Sequence, residues 1–153
     1  MVKKINKAKN PGLQDGEEVL SALSKNDDGA IMKAAVSGGV GGLLGVFAGS
    51  KMQKRTDEKA ESDQLSESEM TKQVPAGLGF FAVTNQRFLV YSHNAMSGNA
   101  KDLVAEMPLG SMKVESITKG KLASRIVVTF SDGGRAAFDV PKGNDIEAFQ
   151  AAL

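Results

Sequence analysis

The chain has 153 residues, of which 41% are hydrophobic, enough for one domain of ordinary size with a few dozen residues outside it. It contains no cysteine and one histidine, His93, which excludes disulfides, a cysteine nucleophile and multi-histidine metal clusters. Its net charge of +1, from 19 basic and 18 acidic residues, is too balanced for binding nucleic acid mainly through phosphates. We expect no bound cofactor, no metal, no catalytic site and no nucleic-acid partner.

The charges are unevenly distributed along the chain. Residues 1–55 contain nine basic and five acidic residues, residues 56–76 contain two and six, and residues 77–153 contain eight and seven. The first nine residues contain four lysines and no acid, but no apolar stretch follows, which argues against a cleaved signal peptide. We therefore interpret residues 1–15 as a solvated basic arm, with an anionic surface as its alternative partner.

A first strand is predicted over residues 16–25, where polar and apolar residues alternate imperfectly. A helix over residues 17–24 is the competing interpretation. If the strand is correct, residues 16–29 form the first part of a β domain that resumes at residue 77.

Residues 34–50 form an uncharged, glycine-rich segment, which we predict to belong to an inserted apolar helix over residues 30–50. As a helix, residues 34–50 would be about 26 Å long, slightly shorter than the ~30 Å hydrocarbon core of a membrane. The glycine spacing of four residues lets helix backbones approach closely, and it resembles the glycine-zipper segments of membrane-associated bacterial proteins. The predicted helix-packing residues are Gly38, Gly41, Gly42, Gly45 and Gly49. The predicted membrane-contacting residues are Val40, Leu43, Leu44, Val46 and Phe47.

Two other interpretations of this segment stay open: a flexible glycine-rich loop, and a helix buried against the domain. A phosphate-binding loop is excluded, because the required glycine and hydroxyl positions hold Ser50 and Met52.

Residues 51–76 are acidic and poor in apolar residues, and they are predicted to form a charged linker. The linker would begin as a solvated extension of the helix and continue as a disordered segment. It begins with Lys51, Lys54 and Arg55. Basic residues directly after an apolar helix mark its cytoplasmic side and attract anionic head groups, although ordinary solvated charges give the same pattern.

From residue 78 onward the hydrophobic period changes to two, which is typical of β-strands. The predicted strands cover residues 78–84, 87–92, 102–109, 112–118, 121–131 and 135–140. The alternation places Leu103, Ala105, Met107 and Leu109 on one strand face. It places Leu122, Ile126, Val128 and Phe130 on another.

A C-terminal helix is predicted to begin at Asn144 as N-cap, with Glu147 three residues later and an apolar stripe of Ile146, Phe149 and Leu153. The predicted fold is mainly β, a seven-stranded partly open barrel or sandwich that the C-terminal helix closes.

The segment from Gly79 to Tyr91 carries a family resemblance. It is similar to the strand pair of bacterial pleckstrin-homology-like domains and of the related GRAM domains. The matching residues are Gly79, Val83, Thr84, Asn85, Arg87, Leu89, Val90 and Tyr91. The resemblance covers residues 16–25 and 77–153, and it implies that residues 30–75 interrupt the fold between its first two strands. In the eukaryotic family that loop supplies basic ligands to phosphoinositides.

Together these patterns predict a non-enzymatic binding module that associates with a membrane surface or an anionic lipid. The residues assigned to anionic lipid are Lys51, Lys54, Arg55, Lys119 and Lys121. The predicted location is cytoplasmic, with the inner face of the membrane as its attachment site. The alternative is a soluble oligomeric scaffold or protein-interaction domain, assembled through packing of glycine-zipper helices.

Overall fold

A computed structural model of the chain describes residues 1–6, 12–29 and 65–153. Within them, seven antiparallel strands form one open sheet in the order β4-β3-β2-β1-β7-β6-β5. The strands are β1 (Val19–Asp27), β2 (Gly79–Thr84), β3 (Arg87–His93), β4 (Ala100–Pro108), β5 (Met112–Lys119), β6 (Ala123–Phe130) and β7 (Arg135–Pro141). The described helices are α1 (Val2–Ile5), α2 (Glu69–Lys72) and α3 (Ile146–Ala152). The predicted mainly β class with a C-terminal helix is confirmed.

Strand β1 joins the two halves of the sheet. Residues 19–25 pair with β2, whereas Asn26 and Asp27 pair with β7. This pairing decides between the two interpretations of the first segment in favour of the strand, which extends to Asp27 instead of ending at residue 25.

The two halves of the sheet share one hydrophobic core. Phe81 and Val90 from the first half lie in the same cluster as Val128 and Phe138 from the second half. Phe149 of α3 is fully buried in this cluster. α3 therefore packs on the core that both halves share, where it contacts β1 and β2.

The outer face of the first half carries a second apolar cluster, which includes Phe80, Leu89 and Tyr91. Ile5 of α1 is fully buried in it. The predicted solvated arm is therefore only partly solvated. Ile5 of α1 packs in the outer cluster, while Lys3 remains exposed.

Residues 66–74, from the predicted disordered linker, pack on the β6–β7 hairpin instead. Ser66 forms a β-bridge with Arg135, and the Asp132 carboxylate accepts a hydrogen bond of 2.9 Å from the Met70 amide. A side chain at Gly134 would overlap Ser68, the N-cap of α2. The sequence does not reveal the packing of this segment, because its partners lie more than 60 positions away. The rest of the predicted linker, residues 51–64, lies outside the described residues.

Several predicted positions differ in detail. Asp145, not Asn144, caps α3 by accepting from the Ala148 amide, because the Asn144 side chain instead accepts from the Ser24 amide.

Two of the predicted strand faces are only partly correct. Ala105 and Met107 do face the core, but Leu103 packs in the outer cluster because a register shift interrupts the pairing of β3 with β4. Leu109 lies beyond the end of β4, and Leu122 precedes the start of β6. Both leucines are therefore exposed.

Candidate functional site

A basic turn lies where β5 ends and β6 begins. It comprises Lys119, Lys121 and Leu122, together with Lys142 from the neighbouring turn after β7. The Lys142 amide donates a 3.1 Å hydrogen bond to the Leu122 carbonyl, which holds the two turns side by side. All three lysines are exposed, so the two turns present three cationic side chains together with one leucine.

Leu122 itself is 50% exposed, among lysines instead of in the core. The turn is tight at Gly120, where a methyl group would overlap the Ala123 carbonyl oxygen. Glycine therefore allows the chain to reverse closely enough to project Leu122 outward. A single exposed leucine is common on protein surfaces, so the distinguishing feature of this turn is the three exposed lysines that accompany Leu122.

The lysines of the basic turn differ in their ion pairing. The Lys119 ammonium lies 3.7 Å from a carboxylate oxygen of Glu147, and both side chains are more than 80% exposed. Neither Lys121 nor Lys142 forms an ion pair with another described residue.

An ion pair fixes the start of the predicted insertion close to the basic turn. Asp28 follows β1, and its carboxylate binds Arg125 of β6 through two hydrogen bonds of 2.7 and 2.9 Å. Both side chains are largely buried, at 16% and 12% exposure. Arg125 is the third residue of β6, so residues 28 and 29 leave the sheet beside the strand that begins at the basic turn.

The chain also returns close to where it leaves. Asp27 pairs with Phe138 of β7, and Ser66 forms its bridge with Arg135 of the same strand. Three residues of a strand correspond to about 10 Å. The segment between residues 29 and 65 therefore begins and ends on one side of the domain.

The predicted site residues fall into two groups. Lys119 and Lys121 lie together in the basic turn. The predicted helix-packing and membrane-contacting residues of segment 34–50, and Lys51, Lys54 and Arg55, lie outside the described residues. Sequence reasoning missed Leu122 and Lys142: Leu122 fits the alternation of β6, and Lys142 lies 21 positions after Lys121.

Arg87, the basic residue in the family-like segment, is enclosed by its own protein. It donates to both carboxylate oxygens of Glu17 at 2.9 Å, to the Gly12 carbonyl at 2.7 Å and to Glu106. Hydrogen bonding from Arg87 lowers the pKa of Glu17 from 4.5 to about 2. These contacts fasten residues 12–17 to β3, so Arg87 has a structural role.

Lys25 is a fully buried cation. Its ammonium donates to the Pro75 carbonyl and lies 5.3 Å from the centre of the Phe138 ring, and burial lowers its pKa. Without access from solvent, Lys25 serves to join β1 to the residues before β2.

No protein-family model matches the chain, and no curated protein matches it significantly. Among the described helices, none is both long and apolar enough to span a membrane. Residues 1–6, 12–29 and 65–153 contain no group of three or more histidine, cysteine or carboxylate side chains that could hold a metal ion.

Proposed function

We propose that this protein is a non-enzymatic, pleckstrin-homology-like module that binds an anionic membrane surface. In this proposal the basic turn contacts head groups, and the glycine-rich segment 34–50 with Lys51, Lys54 and Arg55 adds a second contact. The observation that carries the proposal is the basic turn, where a hydrogen bond joins two neighbouring turns that carry three exposed lysines and the half-exposed Leu122.

The expected free energies of membrane binding indicate that the basic turn alone would bind a membrane weakly. A lysine near an anionic membrane contributes about 1 kcal/mol, so three contribute about 3 kcal/mol, less what Lys119 loses by separating from Glu147. Leu122 is already half-buried, and its insertion adds about 1 kcal/mol. The contribution of segment 34–50 therefore decides whether attachment is stable.

Two features support joint action of the turn and the segment. The Asp28–Arg125 ion pair ties the start of the insertion to β6, directly after the turn. Asp27 and Ser66, which precede and follow the segment, pair with positions three residues apart on β7, so the chain leaves and returns along the same strand. The family assignment is supported by the residues from Gly79 to Tyr91, the sheet order and the closing C-terminal helix.

Flotation with vesicles tests the proposal. The full chain is mixed with phosphatidylcholine vesicles that contain either no phosphatidylglycerol or a fraction of it, at two salt concentrations. We expect recovery in the floating fraction only with the anionic lipid, and less at high salt because the lysine contacts are screened. Replacing Lys119, Lys121 and Lys142 by glutamine should weaken binding about 10- to 100-fold.

The matched control replaces Lys72, Lys101 and Lys113, three exposed lysines outside the basic turn, by glutamine. It changes the net charge equally and should retain most binding. Equal losses for both triple variants would contradict a localised surface, and equal flotation with neutral and anionic vesicles would contradict the proposal.

Deleting residues 34–50 should reduce flotation. If the deletion changes only the oligomeric mass, measured by light scattering, the result would support the scaffold alternative.

A further inference from the structure

A depression of about 410 Å³ lies beside the basic turn, between the ends of β5 and β6 and the loop before α3. This volume is within the range of small-molecule sites. Its chemically distinctive lining residues are Ile117, Lys119, Ser124, Asp145, Ile146 and Glu147. A small head group or metabolite fits such a space.

The lining carries both signs of charge. Lys119 supplies a cation, and Asp145 and Glu147 supply two carboxylates. A simple anion such as phosphate would meet both carboxylates, and a simple cation would meet Lys119. A ligand with a phosphate and an ammonium separated by a short linker satisfies both signs, because it replaces the 3.7 Å Lys119–Glu147 pair by two new ones.

The remaining lining selects among zwitterions. Quaternary ammonium groups are recognised by aromatic cages, and none of the described residues that line this depression is aromatic. Carboxylates instead accept hydrogen bonds from a primary ammonium. The Ser124 hydroxyl has no hydrogen-bond partner among the described residues, so it can donate to a phosphate oxygen, while Ile117 and Ile146 face the linker.

Side chains, and not the start of α3, would hold this ligand. Asp145 already accepts from the Ala148 amide through its side chain and from the Phe149 amide through its carbonyl. Asn144 is likewise occupied, since its amide group contacts both Ser24 and Pro141. These bonds instead fix the wall of the depression.

We infer that the depression between β5, β6 and α3 binds a phosphoethanolamine group, with Lys119 and Ser124 on the phosphate and Glu147 and Asp145 on the primary ammonium. The inference rests on the proposed function for its membrane context, because the head group of phosphatidylethanolamine would enter where the basic turn meets the lipid surface. A free phosphoethanolamine ester has the same chemistry.

The experiment titrates the full chain with sn-glycero-3-phosphoethanolamine, sn-glycero-3-phosphocholine or inorganic phosphate and follows backbone amides by NMR. We expect saturable shifts at Ser124 and Gly143 with the ethanolamine ester, and clearly weaker shifts with the other two. Glu147→Gln should weaken that binding about two- to fivefold, the range for an exposed ion pair. Glu69→Gln is the control, since Glu69 is similarly exposed, at 85% against 83%, and also forms an ion pair with a lysine.

Equal shifts with inorganic phosphate or with the choline ester would overturn the inference, and so would the absence of shifts or equal effects of the two glutamate variants. Flotation with vesicles that contain phosphatidylethanolamine then distinguishes the two sources of the head group, the membrane lipid and the free ester. The flotation test of the proposed function uses vesicles without this lipid, so either idea can fail while the other stands.

Discussion

Two turns of the same sheet use basic residues in opposite ways. After the β2–β3 turn, Arg87 is 12% exposed and contacts Glu17, Glu106 and the Gly12 carbonyl. At the β5–β6 turn, Lys121 is exposed and forms no ion pair with another described residue. The difference lies in the neighbouring chain, since residues 12–17 cover the first turn and bring a buried carboxylate to it.

The contrast separates two roles for a basic residue at a turn of the sheet. Arg87 binds a carboxylate of its own protein and holds residues 12–17 to β3, whereas Lys121 has no ion-pair partner among the described residues. Variants at Arg87 should therefore lower the free energy of unfolding. The molecules that remain folded should bind vesicles as the parent protein does. Substitutions of the exposed lysines and of Leu122 in the basic turn should do the reverse.

Removing Arg87 should give the largest effect. Arg87→Ala leaves the Glu17 side chain buried without its partner, and loss of one member of a buried pair costs about 3–5 kcal/mol. Urea denaturation measures this loss, and Lys121→Ala should stay within about 0.5 kcal/mol of the parent. Similar stabilities of the two variants would remove the contrast between the turns.

Acid should weaken the same pair. The folded-state pKa of Glu17, about 2, lies below its ordinary value of 4.5. Its carboxylate therefore contributes fully to stability above that ordinary value, and the contribution is lost as the pH falls toward the folded-state pKa. Urea unfolding of the parent from pH 6 to pH 3 should show a loss of roughly 2 kcal/mol beyond that of Glu17→Gln. Parallel pH profiles would contradict this role of Glu17.

Gly120→Ala should disturb the shape of the basic turn. The added methyl group meets the Ala123 carbonyl oxygen, and such overlap costs about 1–3 kcal/mol. We expect lower stability in urea together with weaker flotation, because Leu122 and the lysines lose their arrangement. Unchanged flotation of the folded variant would show that binding depends on charge but not on turn geometry.

Leu122→Ser should give the smallest effect, about 1 kcal/mol or fivefold weaker vesicle binding, with unchanged stability. Leu20→Ser is its control, because Leu20 is similarly exposed, at 56% against 50%, but lies on β1. If the two variants bind alike, Leu122 does not enter the membrane interface and the basic turn acts by charge alone.

Much of the fold was predictable because its signals are local. Alternating residues such as Ala136, Phe138 and Val140 indicated β7, and these three do pack in or against the core. The exact cap of α3 was not predictable, since Asn144 and Asp145 are both good caps and a contact with Ser24, 120 positions away, assigns their roles.

The candidate site was predictable only in part. Lys119 and Lys121 are close in sequence, so their shared turn was visible from spacing. Leu122 and Lys142 became part of it through the hydrogen bond that joins two turns. No periodicity in the sequence encodes that pairing.

The sequence by itself determined the mainly β class, the C-terminal helix and the separation of charge along the chain. These follow from the two-residue and 3.6-residue periods of side chains, which are properties of short segments. Only the tertiary structure decided that Arg87 is neutralised, that residues 66–74 pack on a hairpin and that Lys142 joins the turn of Lys119, Lys121 and Leu122. Each depends on contacts between distant residues, where burial and partner geometry, not residue type, set the role of a charge.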